Sequence, residues 1–198
     1  MTTTFFLLRH AAHDDLGSYL AGRSRDVFLG PAGRAQAARL GNRMRKESFD
    51  AIFSSPRKRA WETAQAVSRA CEVQPVTAHE DLDEIDFGSW SGKTFVELDT
   101  DPAWRHWNRD RNVASTPAGE NMANVGGRIR ECMQELSSLF SGGAIVLVSH
   151  ADVIKCAICQ TLGLSPDGCF RFDIDPASIS VVAAGDWGAK VLRLNESA

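Results

Sequence analysis

Apolar and polar positions divide the chain into short apolar runs separated by segments of helical spacing. Phe5-Phe6-Leu7-Leu8 and Ala144-Ile145-Val146-Leu147-Val148 are continuous apolar runs bounded by polar residues, the pattern of strands buried on both faces. Asp50-Ala51-Ile52-Phe53 is a shorter run of the same kind. Ile179–Ala183 and Lys190–Leu194 read as two more strands, with Asp175-Pro176 and Gly185-Asp186 supplying the turns. Between them lie helical patterns. Pro31 opens one that carries Ala37, Leu40 and Met44 on one face, and proline suits a first turn. Ser54-Ser55-Pro56 is a start signal for a second, with Arg57, Lys58 and Arg59 in its first turn. Met122, Val125, Ile129, Met133, Leu136 and Phe140 mark a long amphipathic helix, within which Gly126-Gly127 implies close packing. A last helix carries Val153, Ile154 and Ile158. Ala11–Gly30 and Thr77–Gly92 read as loops.

The chemistry gathers where apolar runs stop. The first run ends in Arg9-His10 and the strongest one in Ser149-His150, so two strands deliver imidazoles to one sheet edge. Ligands of open α/β sheets sit outside the carboxyl ends of strands. A strand that merely stops at polar residues has the same appearance, so other residues must decide. Arg57, Lys58 and Arg59 crowd the positive end of a helix, where cations are disfavoured unless an anion is held there. Asp81–Gly92 sets four carboxylates among Leu82, Ile85, Phe87 and Trp90. An acid in apolar company has its pKa raised, as a general acid at neutral pH requires. Asp81, Asp83 and Asp86 are read as surface residues of that loop. Pro102–Arg111 interleaves Trp104 and Trp107 with Arg105, Arg109 and Arg111. It reads as a short flap helix packed by its tryptophans, with arginines reaching towards a site.

Composition narrows the classes. The 198 residues are 43% hydrophobic and 24% charged, with a formal net charge of −3. That balance offers no general attraction to nucleic acid or to an anionic membrane, so any anion site must be local. Met1-Thr2-Thr3-Thr4 lacks the basic start of a secretory leader, and no stretch has the length of a membrane span. Five cysteines, an odd number, are expected to be reduced thiols of a cytoplasmic protein. Cys156-Ala157-Ile158-Cys159 has redox spacing but lies in an apolar helical pattern, which favours buried structural cysteines. With no repeat or linker, residues 1–198 read as one domain with a short flap around 93–118.

Five segments, taken in order, resemble the signature of the histidine phosphatase superfamily, in its phosphoglycerate mutase-like branch. They are Leu8-Arg9-His10-Ala11, Ser54–Ala64, Asp83–Gly92, Pro117-Ala118-Gly119-Glu120 and Val148-Ser149-His150-Ala151. The resemblance implies an α/β fold: a three-layer α/β/α sandwich around a mostly parallel sheet, with a phosphoryl pocket at the strand ends. It implies His10 as the nucleophile that becomes phosphohistidine. Arg9, Arg59 and His150 would clamp the phosphoryl oxygens. Glu84 would be the acid for the leaving alcohol and then the base for water. Arg23, His13, Ala151, Arg105 and Arg109 are the expected substrate contacts, with no metal and no cofactor. Ala11 and Ala151 stand where the family usually has glycine, and Ala12-His13 and Leu16 replace other usual pocket residues. Those departures bear on substrate preference more than on the core reaction.

The expected partner is a small phosphorylated metabolite, not nucleic acid and not a membrane; a homodimer is compatible with that. The expected reaction is metal-independent hydrolysis of a phosphomonoester. Three alternatives stand beside it. A mutase would return the phosphoryl group to substrate, but this chain has only a short segment after the acid loop and lacks an adjacent arginine pair. A metallohydrolase would use His10, His13, His150 and Asp152, with two arginines awkwardly beside its cation. An inactive phosphate-binding module would keep the residues without turnover.

Overall fold

The computed structural model describes residues 1–24 and 27–198. A six-stranded sheet runs through the molecule in the order β3-β2-β4-β1-β5-β6. Its strands are β1 (Thr3–Arg9), β2 (Ala51–Ser54), β3 (Val76–Ala78), β4 (Ala144–Ser149), β5 (Ile179–Gly185) and β6 (Gly188–Glu196). The first four pair in parallel, with Leu8 beside Val148 and Phe53 beside Leu147. The β5–β6 hairpin closes one side antiparallel to β1. The sheet is therefore parallel where the histidines are and antiparallel where they are not.

Side chains alternate across a strand, and this divides the core. Phe5, Leu7, Ile145, Leu147 and Val182 face α5 (Met122–Leu139) and α6 (Ala151–Thr161). Phe6, Leu8, Ile52, Val146 and Val148 face α1 (Pro31–Met44) and α2 (Lys58–Cys71). Both faces are covered, which is why β1 and β4 read as unbroken apolar runs rather than alternating ones. The result is three layers.

Several local expectations shift. Arg57 is the N-cap of α2, not a first-turn residue, and Arg9 is the last residue of β1 rather than lying beyond it. Thr77–Gly92 is not all loop: β3 pairs with β2, and two single helical turns, Glu80–Leu82 and Gly88–Trp90, follow. Three residues of edge strand are too few for periodicity to reveal. Gly126 does answer to close packing, since a Cβ there would lie 2.5 Å from Gln160 Nε2, but Gly127 faces open space.

The segment 93–118 carries α3 (Phe95–Leu98) and α4 (Pro102–Trp107). Trp104 and Trp107 pack edge-on against Trp90, at 5.2 and 6.3 Å between ring centroids. The Trp90 indole N–H donates to Asp101 at 2.9 Å. All five cysteines are free thiols; Cys132, Cys156, Cys159 and Cys169 are buried, and burial pushes the Cys132 thiol up to about 12. No helix among the described residues is long and apolar enough to cross a membrane.

Candidate active site

The carboxyl ends of β1, β2 and β4 converge. β1 and β4 are in register up to Arg9 and Ser149, and the His10 N–H donates to the Ser149 carbonyl at 2.9 Å. His10 and His150 therefore follow paired positions, and their rings lie 5.1 Å apart. Ser54 and Ser55 close β2 beside them. The turn after His10 is held by α2, whose Thr63 hydroxyl accepts from the Ala11 N–H at 3.0 Å and donates to the Arg59 carbonyl at 2.8 Å.

Arg59, almost fully buried, lies between the two imidazoles. Its Nε is 3.3 Å from His10 Nε2, and its Nη2 is 3.2 Å from His150 Nδ1. A guanidinium can only donate, so both ring nitrogens must present lone pairs to it. His10 Nδ1 lies 2.8 Å from the Ala11 carbonyl, which can only accept. The His10 proton therefore sits on Nδ1, and Nε2 is left as a nucleophilic lone pair. Burial, with Arg59 and Arg9 nearby, holds the His10 pKa well below its usual value. His150 is held down by burial, and further by Arg59, His10, Arg128 and Arg9. Both imidazoles are neutral at pH 7.

Glu84 meets them from the acid loop, its side chain 15% exposed, with Oε2 3.4 Å from His150 Nδ1 and 3.6 Å from Arg59 Nη2. Burial raises its pKa to about 7, against the opposing pull of Arg59, with Asp152 raising it further. A carboxyl in that range can give a proton to a leaving group and take one from water. Arg9 donates through Nη1 to the Ile174 carbonyl at 2.6 Å. Arg9 Nε and Arg59 Nη1 are buried polar atoms with no hydrogen-bond partner among the described residues. Buried donors are normally satisfied. The Arg59 guanidinium, in contact with His10 Nε2, thus keeps a donor free for an anion, and the neighbouring Arg9 keeps another.

The other expected contacts are placed differently. His13 is buried with Nδ1 unpartnered, its ring 6.2 Å from that of His10 and 6.3 Å from Tyr19. Ala151 opens α6 beside His150, where backbone N–H groups are not used by the helix. Arg23 is near the acid loop, donating to the Glu84 carbonyl and the Glu120 carboxylate at 2.8 Å each. Arg105 and Arg109 are exposed on and just after α4. The arginine of that segment that turns inward is Arg111, stacked 4.3 Å from the Trp107 centroid and 3.3 Å from Asp152. Asp83 departs from its reading as a surface residue: it is 2% exposed, and Arg57 grips its carboxylate with two hydrogen bonds of 2.8 and 2.7 Å. Sequence reasoning passed over Ser55, whose hydroxyl meets His150, and considered Asp152 only as a metal ligand, whereas it pairs with Arg111 and its charge acts on Glu84. The available signal was charge matching: an extra arginine at position 57 and an extra acid beside Glu84.

A neutral imidazole nucleophile, a carboxyl that titrates near neutrality and two guanidiniums with donors to spare, at the edge of a parallel sheet, define an α/β protein built to handle phosphoryl groups. The chain belongs to the histidine phosphatase superfamily (branch 1), whose family model matches residues 5–197. It is 30% identical over 193 residues to phosphoserine phosphatase 1 of Hydrogenobacter thermophilus, covering 96% of this chain and 90% of that one. It is 31% identical over 196 residues to a bifunctional protein of Mycobacterium tuberculosis, covering 97% of this chain and 53% of that protein. The chain thus spans about half the length of that mycobacterial relative. Among solved structures, Bacillus stearothermophilus YhfR superposes with a TM-score of 0.92 at 26% identity, covering 99% and 98% of the two chains. Phosphoserine phosphatase of Entamoeba histolytica in complex with 3-phosphoglyceric acid superposes at 0.87 with 27% identity, covering 98% of each.

Proposed function

We propose that this chain hydrolyses the phosphomonoester of a small phosphorylated metabolite through a phosphohistidine on His10. The lone pair of Nε2 attacks phosphorus. The P–O bond to the leaving group breaks, and that oxygen takes the Glu84 proton. The Glu84 carboxylate then accepts a proton from water, whose oxygen attacks phosphorus and breaks the N–P bond. Splitting one hard displacement into two is the gain from covalent capture. Arg9, Arg59 and His150 surround the transferring group, and the fixed positive charge and N–H donors of the two guanidiniums stabilise the charge on its equatorial oxygens. In this reading Arg23, His13 and Ala151 border the leaving group, residues 1–198 act as one domain, and the free thiols fit a reducing cytoplasm.

The observation that carries this reading is the pairing of a His10 tautomer with a bare Nε2 and a Glu84 carboxyl that titrates near 7. The guanidiniums take the charge-neutralising role a metal would otherwise have, so turnover is expected to persist in chelator. Turnover of p-nitrophenyl phosphate, with alkaline quenching to trap an acid-labile phosphoenzyme, tests it. His10→Ala should lose both the phosphoenzyme and roughly 10⁴-fold or more of kcat. Unchanged turnover in His10→Ala would overturn the mechanism.

A further inference from the structure

His150 has a second set of contacts, on the side away from Arg59. Its Nε2 lies 2.8 Å from the Ser55 hydroxyl, which is 3.3 Å from Asp83 Oδ1. The same hydroxyl is 3.3 Å from the Arg57 N–H. Asp83 Oδ1 also accepts from the Glu84 N–H at 2.7 Å. Ser55 and His150 are fully buried and Asp83 nearly so, and of the three only His150 belongs to the phosphoryl surroundings described above.

The direction of every bond follows from what each group can give. A carboxylate gripped by Arg57 accepts only, so the single Ser55 proton goes to Asp83. An amide N–H donates only, so Arg57 fills one Ser55 lone pair. The remaining lone pair faces His150 Nε2, which must then carry the hydrogen. Arg59 enforces the same answer from the other side, because its N–H needs a lone pair on Nδ1.

We propose that Asp83, acting through Ser55, is a positioning residue that locks His150 in its Nε2–H tautomer, so that Nδ1 keeps its lone pair towards Glu84 and Arg59. The consequence for chemistry lies in Glu84. A lone pair 3.4 Å from Oε2 accommodates the carboxylic acid, whereas the other tautomer would aim an N–H at it and favour the carboxylate. One short network thereby keeps the proton on the acid, and the same Asp83 oxygen fixes the Glu84 backbone. Arg57 serves as the anchor that holds the Asp83 carboxylate in place. This rests on the reading of Glu84 as the acid of the phosphoryl site.

Imidazole ¹⁵N NMR of the resting protein reads the tautomer directly, with His150 assigned against a His150→Gln spectrum. The wild type should show one neutral tautomer with hydrogen on Nε2; hydrogen on Nδ1 overturns the proposal without any variant having to fold. Ser55→Ala should mix the tautomers, and Ser55→Thr, which keeps the hydroxyl, should restore the single form. Asp83→Asn should mix them too; a tautomer indifferent to Asp83→Asn overturns the part given to Asp83. In turnover, Ser55→Ala should move the alkaline limb of kcat/KM to lower pH by about one unit, since a hydrogen bond passes from the neutral to the charged form of the acid. The other groups around Glu84 remain in that variant: Arg59 from α2, Arg9 from β1, Asp152 from α6, Arg128 from α5 and the Ile85 N–H. An unmoved limb counts against the proposal. Because the tautomer is read without turnover, it can fail while His10-dependent hydrolysis stands, and the reverse.

Discussion

The strand-end cluster and the segment 93–118 are built from the same residue types, arginine and histidine beside carboxylates and aromatic rings, yet they put them to opposite uses. At the strand ends, Arg59 is sealed between two neutral imidazoles and still has an N–H without a partner. In 93–118 the tryptophans are core, Arg105 and Arg109 face solvent, and Arg111, although its buried Nε also has no partner, lies against Asp152 and the Trp107 face rather than an imidazole. The difference is in what the backbone permits. Paired parallel strands hold His10 and His150 at adjacent registers, and α2 drives Arg59 into the space between them. A two-turn helix on the surface leaves its cations to water, where they are well solvated and contribute little. A buried, incompletely satisfied arginine marks a site only when rigid elements also set it against reactive groups, as they set Arg59 against two imidazoles.

Replacement of Arg59 should have the largest effect on turnover. Arg59→Met removes the donor to the phosphoryl group and the cation that helps keep His10 neutral, and kcat/KM should fall by roughly 10³-fold. A loss under tenfold would make the buried Arg59 no more important to turnover than an ordinary surface arginine. Next comes Glu84→Gln, expected to cost on the order of 10²-fold in kcat with alkyl phosphates and far less with the good leaving group p-nitrophenol. Glu84 must be protonated for the first step, so wild-type kcat/KM should decline as pH rises through about 7, and Glu84→Gln should lack that limb. Stability carries the same signature. The folded state binds the Glu84 proton more tightly than the unfolded chain does. Relative to Glu84→Gln, the wild type should therefore lose stability as pH rises from about 4.5 to about 7 in denaturant titrations.

Trp107→Ala should reverse the pattern: stability falls by about 3–5 kcal/mol, as for other buried aromatic truncations, while kcat of the folded fraction changes little. A selective loss of kcat at unchanged melting temperature would make 93–118 part of the chemistry. The smallest effect is expected from Arg105→Ala and Arg109→Ala, each changing kcat/KM by less than about twofold, as for exposed substitutions. A tenfold rise in KM would show that these side chains fold over the substrate.

Much of the fold was legible because burial on both faces writes an unmistakable pattern. Phe5–Leu8 and Ala144–Val148 could only be inner strands, and the histidines ending them pointed to one edge. Of the residues proposed for direct chemistry, His10 and His150 stood out at the ends of apolar runs and Arg59 at a helix start, while Glu84 was singled out from its loop only by the family resemblance. β3 was hidden by its length. Asp83 was hidden by its company, since four acids in one loop look alike until one of them meets Arg57.

The sequence by itself determined the alternation of strands and helices and the types of group at the strand ends, because those follow from local periodicity and burial, while the three layers were implied by the family resemblance. Only the tertiary structure decided which nitrogen of each imidazole carries its hydrogen, which arginines retain a donor for an anion, and which acid supports another. Those outcomes depend on hydrogen bonds between residues 49 to 95 positions apart, Arg59 with His10 and Ser55 with His150. No local pattern encodes a donor left without a partner; it exists only once every neighbour has taken its place.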